Sequence, residues 1–315
     1  MFYLPSQHKI KIINRSQTLM GTVVEITATG KDEGKINRSI TRALERMKQV
    51  EILMSKFTPE SEISLINKNA GLKWVKVSPE VKEVLYKAKE FSRITGGAFD
   101  ISIGILGKLW KFHKNSQVPL REEIGRLMNL VDYRKLRVDK ENSKVFLAAR
   151  SMKIDLGGIA KGFIVDRGVE ELKKNGVENF IINAGGDLTA RGSKNGRPWK
   201  VGIQDPRNRA KIFVTLTLND KSITTSGDYE KYFLQEGKRF HHILDPRTGY
   251  PARDCLSTTI IANDATTADA LATAVFVMGP DKGIKLIETL SGVEGIIVDK
   301  ERRIILSSGL NGLIQ

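Results

Sequence analysis

The 315-residue chain contains a single cysteine, Cys255. One thiol excludes a disulfide framework within the chain and any metal site built on cysteine pairs. Its neighbour Asp254 is acidic, and no basic residue beside it in sequence would activate the thiol. We therefore expect Cys255 to be buried and unreactive.

Long apolar runs are also missing. No segment approaches the roughly 20 consecutive apolar residues that cross a membrane as a helix. The first residues contain neither the apolar core of a signal peptide nor a cysteine that could accept a lipid. As written, the sequence predicts a soluble cytoplasmic protein, whereas a trimmed chain would come from an exported or membrane-anchored one.

Several catalytic motifs are absent. The chain has no G-x-S-x-G, no H-E-x-x-H and no paired C-x-x-C, so serine hydrolases, zinc proteases and zinc ribbons find no support. Gly157 and Gly158 are followed by Gly162, a spacing that fits neither the dinucleotide fingerprint nor a P-loop.

The charge balance is basic, because 51 Lys and Arg residues outnumber 36 Asp and Glu residues to give +15. Such a balance favours anionic partners or supplies a solvated basic surface. The basic residues are spread along the chain, and no basic–aromatic run or nucleic-acid-binding motif accompanies them. Nucleic acid is therefore not predicted as a partner.

Hydrophobic periodicity predicts helices and strands in irregular order. Strands are expected over residues 22–29, 144–156, 180–183, 199–204, 211–218, 240–244 and 258–262, with two more at the C-terminal end. Helices are expected over residues 35–57, 79–95, 120–130, 159–174, 266–278 and 281–290. Because the order is not a regular βαβ alternation, we expect an α/β (α+β) fold with mixed sheets and packed helices. It would form one unit over residues 1–315, either undivided or split into two lobes, with residues 1–19 as an N-terminal extension.

Five runs of small residues place a carboxylate, hydroxyl or imidazole beside backbone that a ligand can approach closely. The runs are Asp155-Leu-Gly-Gly-Ile-Ala-Lys-Gly162, Asn183-Ala-Gly-Gly-Asp187, Thr225-Ser-Gly-Asp228, His241-His-Ile-Leu-Asp-Pro-Arg-Thr-Gly249 and Ala268-Asp-Ala-Leu-Ala-Thr273. A phosphate-bearing ligand with a hard metal ion is the simplest shared purpose.

The first run predicts a strand, a glycine turn and a helix. Unpaired N–H groups at a helix N-terminus favour an anion, and Lys161 adds a full positive charge. The alternative is a tight strand-to-helix connection with an incidental lysine.

In the last run, Asp269 and Thr273 lie one turn apart on a helix, so their oxygens share a face. A carboxylate and a hydroxyl among alanines suit Mg²⁺, which prefers oxygen ligands. The alternative is a helix that packs closely through its alanines.

The adjacent pair His241 and His242 precedes a turn. Neighbouring side chains on a strand face opposite sides, so one histidine at most faces a given site. The glycines of the second and third runs could let backbone N–H groups reach a phosphate or a flavin edge.

Taken together and in order, these runs closely resemble the ApbE family of FAD:protein FMN transferases. The resemblance covers nearly the whole chain and includes four further runs. They are Met20-Gly-Thr22, Phe57-Thr-Pro-Glu-Ser-Glu-Ile-Ser-Leu-Ile-Asn67, Gly97-Ala-Phe-Asp100 and Val201-Gly-Ile-Gln-Asp-Pro206.

The resemblance implies a deep FAD cleft and transfer of FMN from FAD to a Ser or Thr hydroxyl of a target protein, with release of AMP. It implies Mg²⁺ as cofactor, held by the Ala160 carbonyl, Asp269 and Thr273. The implied catalytic residues are His242, Lys161 and Asp228, with His242 preferred to His241 on strand parity. The implied FAD-binding residues are Met20, Gly21, Ala98, Phe99, Asp100, Asp155, Lys161, Gly186, Asp187, Ser226, His242 and Ile243.

Two other functions are compatible with the same residues. One is a Mg²⁺-dependent FAD pyrophosphatase that uses water as the acceptor, and the other is a catalytically silent FAD-binding protein. The presence of Asp269, Thr273 and the histidine pair argues against the silent form. The target protein and the oligomeric state do not follow from the sequence.

Overall fold

The computed structural model describes residues 10–310, 312 and 313. Its main feature is an eight-stranded sheet with the order β1-β2-β6-β7-β10-β13-β14-β15. The strands are β1 (Lys11–Leu19), β2 (Thr22–Gly30), β6 (Asn179–Ala184), β7 (Asp187–Arg191), β10 (Ser222–Gly227), β13 (Cys255–Ala262), β14 (Glu294–Asp299) and β15 (Ile304–Leu306). At its centre, Val24 pairs with Ala184 and Thr225 with Thr259.

The remaining strands form three smaller sheets. They comprise β3 (Val75–Lys76) with β5 (Lys144–Leu147) and β4 (Leu136–Asp139), β8 (Trp199–Asp205) with β9 (Asn208–Leu218), and β11 (Tyr232–Gln235) with β12 (Lys238–His241). The β8–β9 hairpin packs Trp199, Ile203 and Leu216 against one face of the main sheet.

The helices pack mainly on the other face of the main sheet. They are α1 (Glu33–Met54), α2 (Glu62–Lys68), α3 (Pro79–Ile94), α4 (Arg121–Met128), α5 (Ala160–Lys174), α6 (Ala265–Met278) and α7 (Pro280–Thr289). In α1, Ile40, Leu44 and Met47 recur at helical spacing and are buried. Asp32 caps this helix by accepting a hydrogen bond from the Lys35 N–H at 2.8 Å.

The predicted class of helices packed on sheets is confirmed, but the pairing within the sheets differs from the prediction. Every strand pair in the described part of the chain is antiparallel rather than mixed. Short turns join β1 to β2, β6 to β7 and β14 to β15, and a turn of a few residues can return the chain only antiparallel.

Two predicted strands are shorter in the structure. The strand expected over residues 144–156 ends at Leu147, and a turn follows at residues 150–151. Further along, the side-chain amide of Asn67 binds both backbone groups of Ile154 at 2.7 and 2.9 Å. The strand expected over residues 240–244 ends at His241. The elements α2, β1, β3, β4, β7, β10 and β11 were not predicted from the sequence.

The N-terminal part of the chain was predicted to be an extension over residues 1–19. Residues 1–9 lie outside the described residues, whereas β1 pairs along its whole length with β2. The single-unit organisation, with or without two lobes, stays a prediction. Cys255 is buried, as expected, and burial raises the pKa of its thiol to about 12. Within the described ranges, no helix has the length and apolar character needed to span a bilayer.

Candidate active site

The core of the site is the contact between α5 and α6. The Gly162 N–H donates a hydrogen bond of 3.0 Å to Asp269 Oδ2. A Cβ on Gly162 would lie 2.1 Å from the Ala265 carbonyl oxygen and 2.9 Å from Asp269 Cβ. Only glycine therefore allows this approach, which seats the Asp269 carboxylate over the first turn of α5.

Contacts between the two segments recur every four residues. A Cβ on Gly158 would lie 3.0 Å from Thr273 Oγ1, one step before the contact between Gly162 and Asp269. Four residues later, Asp166 accepts hydrogen bonds from the start of α6. These contacts bring together the first and the last of the five sequence runs, residues 155–162 and 268–273, which lie far apart in the chain.

One lysine faces two buried carboxylates. Lys161 Nζ lies 2.6 Å from Asp187 Oδ2, and Asp187 and Asp269 are 1% and 3% exposed. Burial lowers the pKa of Lys161, but the two carboxylates outweigh burial and raise it, so the lysine carries its positive charge. Burial raises the pKa of Asp187, and Lys161 opposes this shift.

The Asp269 carboxyl lacks full charge compensation. Burial, followed by the neighbouring Asp187, raises its pKa to about 7, while Lys161 acts in the opposite direction. The Gly162 N–H donates to its Oδ2. A cation beside this carboxylate would compensate its charge.

The oxygen donors here fit a magnesium ion. Asp269 supplies a carboxylate, the half-buried Thr273 a hydroxyl, and Ala160, the first residue of α5, a backbone carbonyl. The described residues contain no cluster of three or more His, Cys, Asp or Glu side chains suited to a metal. Mg²⁺ commonly keeps several waters and takes one or two carboxylates together with phosphate oxygens, so a sparse protein donor set matches it.

Two glycine turns lie at the same end of the main sheet. Met20 and Gly21 form the β1–β2 turn with φ of 54° and 69°, and Glu51 accepts a 2.6 Å hydrogen bond from the Met20 N–H. A Cβ on Gly185 would lie 2.3 Å from Thr22 Oγ1, so the turn containing Gly186 packs beside the first one. Lys161 joins this end to the α5–α6 contact through Asp187, the first residue of β7.

The predicted FAD-binding residues Ala98, Phe99 and Asp100 make most of their contacts within the protein. Ala98 and Phe99 are buried, and Phe99 lies 3.2 Å from the position of a Cβ on Gly158. Asp100 Oδ1 accepts from the Ser102 N–H at 2.8 Å, and its Oδ2 accepts from the Tyr133 N–H at 2.8 Å. Burial raises the Asp100 pKa, and these donors oppose the shift.

Asp155 also binds within its own turn. Its Oδ1 accepts from the Gly157 N–H at 2.9 Å, and its Oδ2 is paired with Lys56. The carboxylate therefore holds the glycine turn that begins the first run.

The two histidines differ as their alternation predicts. His241 is buried, and its Nε2 donates to the Ala252 carbonyl at 2.8 Å in the tautomer that leaves Nδ1 to accept from the Ile243 N–H. His242 is exposed to solvent, with its ring 6.4 Å from that of Phe112. Surrounding protein still limits its hydration and, with the charges of His241, Lys231 and Lys161, lowers its pKa to about 4.

Comparisons with known proteins identify the family of the chain. Residues 20–297 match the model of the ApbE family. The chain belongs to the ApbE family.

It is 36% identical over 302 residues to the FAD:protein FMN transferase of Klebsiella pneumoniae strain 342, covering 95% of this chain and 92% of the relative. Its structure resembles that of the ApbE protein of Thermotoga maritima MSB8, with a TM-score of 0.88, 37% identity and coverage of 97% and 100%. It also resembles the flavin transferase ApbE of Vibrio cholerae, with a TM-score of 0.86, 28% identity and coverage of 97% and 100%.

The carboxylate of Asp228, predicted as catalytic in this ApbE chain, is held by two arginines. Arg207 binds its two oxygens at 2.6 and 2.7 Å, and Arg239 binds Oδ1 at 3.1 Å. Both oxygens of the carboxylate are bound by guanidinium groups, so this geometry favours an anchoring role. The pair ties the β8–β9 turn to the residue after β10. Neither arginine was identified from the sequence, because nothing in the local pattern around them indicates their partner.

The remaining predicted residues also lie beside these elements. Ser226 Oγ is 3.4 Å from Thr273 Oγ1, which places the end of β10 next to the oxygen donors of α6. Ile243 is buried, and its carbonyl accepts from the Ala252 N–H at 3.0 Å. Two cavities of about 500 and 530 Å³ are lined by other residues, near α4 and near α7. The deep FAD cleft therefore stays a prediction, as do the individual FAD contacts.

Proposed function

We propose that this protein transfers FMN from FAD to a Ser or Thr hydroxyl of a target protein and releases AMP. The observation that carries the proposal is the cluster of Lys161, Asp187 and Asp269 at the first turn of α5. It combines a fixed positive charge, a helix N-terminus and an under-compensated carboxylate, which together suit a pyrophosphate with its counter-ion. The family membership supports the same reaction.

Mg²⁺ would be held by the Asp269 carboxylate, the Thr273 hydroxyl and the Ala160 carbonyl. When bound, it would neutralise negative charge on the pyrophosphate oxygens as a Lewis acid. Lys161 Nζ would bind the phosphoryl oxygens from the protein side. The carboxylate of Asp187 holds the lysine in place for this contact.

The acceptor hydroxyl must lose a proton as its oxygen attacks the phosphorus on the FMN side. A new O–P bond then forms, the P–O bond to AMP breaks, and AMP leaves with the electron pair. His242 is the candidate proton acceptor, because a pKa of about 4 leaves the imidazole neutral at physiological pH. Its exposure leaves it accessible to a hydroxyl from another protein.

The test incubates the purified protein with FAD, Mg²⁺ and a domain carrying a Ser/Thr flavinylation motif. Mass spectrometry of the domain and chromatography of the nucleotides are the readouts. We expect the domain to gain the mass of an FMN moiety with equimolar AMP, and EDTA to abolish both. Free FMN and AMP with an unmodified domain would indicate the pyrophosphatase, and intact bound FAD would indicate a silent binder.

Replacing His242 by Ala should reduce the rate of FMN transfer by roughly 10²- to 10⁴-fold, which is the usual contribution of a general base. FAD binding should change little, because the proton transfer matters only during the reaction. Single-turnover rates and FAD titrations measure the two effects separately. The matched control is His113→Ala, which removes another exposed histidine. An equal loss of transfer rate in that variant would show that His242 has no specific role in the reaction.

Replacing Lys161 by Ala should lower the rate by about 10²- to 10³-fold through loss of a charge on the phosphoryl oxygens. The protein should remain folded, since the Asp187 carboxyl, left without its partner, can take up a proton. Initial rates and circular dichroism check the two statements. Lys173→Ala removes a lysine from the last turn of the same helix and should keep the wild-type rate. Unchanged kinetics in Lys161→Ala would place this lysine outside the site.

A further inference from the structure

Asp166 in α5 is a buried carboxylate that takes no part in the chemistry above. It is 7% exposed. Its Oδ1 accepts from the Ala265 N–H at 2.9 Å, and its Oδ2 accepts from the Thr266 N–H at 2.9 Å and from the Thr266 hydroxyl. Three donors from the first turn of α6 thus converge on one side chain of another helix.

The start of α6 already has a cap of its own. Asp264 accepts from the Thr267 N–H at 2.8 Å and from the Thr267 hydroxyl at 2.9 Å. This arrangement is the usual way to begin a helix. Asp166 therefore adds something that Asp264 cannot, which is a fixed attachment of α6 to α5.

Charges around Asp166 come from both neighbouring segments. Asp264 lies close enough to raise its pKa, although burial is the main cause and the three donors oppose the shift. Arg191 of β7 supplies opposite charge to Asp166 and Asp264, and its guanidinium donates to the Asn263 carbonyl at 2.8 Å. The attachment is therefore compensated within the core.

The attachment lies one helical turn from the oxygen donors. In α6, Ala265 precedes Asp269 by four residues, and in α5, Gly162 precedes Asp166 by four. At 1.5 Å per residue, four residues correspond to about 6 Å along the axis of either helix. With Asp166 holding Ala265 and Gly162 holding Asp269, the two helices have a fixed register. A slip between them would move Asp269 and Thr273 relative to the Ala160 carbonyl.

We propose that Asp166 is a positioning residue that sets the metal affinity of the site by fixing α6 against α5. The proposal rests on the proposed function, in which Ala160 of one helix and Asp269 and Thr273 of the other hold the ion together. Mg²⁺ demands near-ideal octahedral geometry at 2.0–2.1 Å, so a small displacement between helices weakens binding. Partners that orient metal ligands typically contribute 10- to 100-fold to affinity.

The experiment measures binding of Mn²⁺, an oxygen-seeking substitute for Mg²⁺, to the full chain with FAD present. Free Mn²⁺ is counted by electron paramagnetic resonance at 10 °C, and circular dichroism verifies that each variant is folded. The variants are Asp166→Asn, Thr266→Val and the matched control Asp264→Ala. The control removes two hydrogen bonds from the same helix start without touching α5.

We expect Asp166→Asn to raise the Kd for Mn²⁺ by 10- to 100-fold and Thr266→Val by about 2- to 5-fold. Asp264→Ala should lower Tm yet keep the Kd within about twofold of wild type. If Asp166→Asn does not fold, the smaller rise in the Kd for Mn²⁺ expected of Thr266→Val tests the proposal instead. An unchanged Kd in both variants that touch the attachment, or an equal rise in Asp264→Ala, would overturn the proposal. A wild-type protein that binds no Mn²⁺ would overturn the metal assignment as well, and this separates the two failures.

Discussion

Asp269→Ala should abolish FMN transfer and weaken metal-dependent FAD binding. The carboxylate is the only charged donor proposed for the ion, and the two remaining donors are neutral. We expect a loss of at least about 100-fold in kcat, or roughly 3 kcal/mol of transition-state stabilisation. Initial rates at several Mg²⁺ concentrations and FAD titrations with and without Mg²⁺ measure both effects. Full activity of this variant at limiting Mg²⁺ would refute the metal assignment.

Asp269→Asn separates loss of function from loss of folding. The pKa of this carboxyl is raised to about 7 from an ordinary value near 3.8. A carboxyl with a raised pKa stabilises the folded state at low pH, and this contribution is lost as pH rises from about 4 to about 7. Above pH 7 the ionised group destabilises the metal-free protein, whereas asparagine keeps an acceptor for the Gly162 N–H and carries no charge.

The metal-free Tm of Asp269→Asn at pH 8 should therefore equal or exceed that of wild type, while transfer activity is lost. Differential scanning calorimetry with EDTA measures the first quantity. Added Mg²⁺ should raise the Tm of wild type and leave that of the variant unchanged. A clearly lower metal-free Tm would show that the carboxylate stabilises the fold rather than the ion.

Gly162→Ala should destabilise the protein and disrupt the site together. A Cβ would lie 2.1 Å from a backbone oxygen of α6, which no rotation of a side chain can relieve. The helices must separate, and we expect a decrease of about 3 kcal/mol or more in the free energy of unfolding. The same shift would move Asp269 from the first turn of α5, so metal affinity should fall in any folded fraction.

Gly125→Ala is the matched control, since Gly125 is also a helical glycine but has no heavy atom within 4 Å of its added Cβ. There the substitution should stabilise the protein by roughly 0.5–1 kcal/mol, because alanine loses less backbone entropy than glycine in a helix. Denaturant unfolding of both variants measures the difference. Equal effects at the two positions would contradict the steric explanation.

Local patterns predicted most of the helices. The apolar repeat of α1 and the cap at Ser78 with Pro79 identified two helices, because burial and capping act within a few residues. Spacing also predicted that Asp269 and Thr273 lie one turn apart on a helix, as they do in α6. The structure buries His241 and exposes His242, and which of them faces FAD stays a prediction.

The partners of those residues were not readable in the same way. Asp228 was predicted as a catalytic group, but two arginines from other hairpins hold its carboxylate. No local pattern distinguishes Asp166 from other helix residues, although its carboxylate accepts a hydrogen bond from the start of α6. Such contacts depend on which hairpins and helices meet, and no short-range pattern encodes that meeting.

By itself, the sequence determined six of the helices, which oxygens and charges are available, and that the chain is an ApbE-family protein. The tertiary structure alone decided the fully antiparallel strand order and the partners of each charged group. The physical reason is range: capping and periodicity operate within one or two turns, whereas Gly162 and Asp269 meet across 107 residues. Their approach depends on α5 and α6 packing together, which only the folded chain provides.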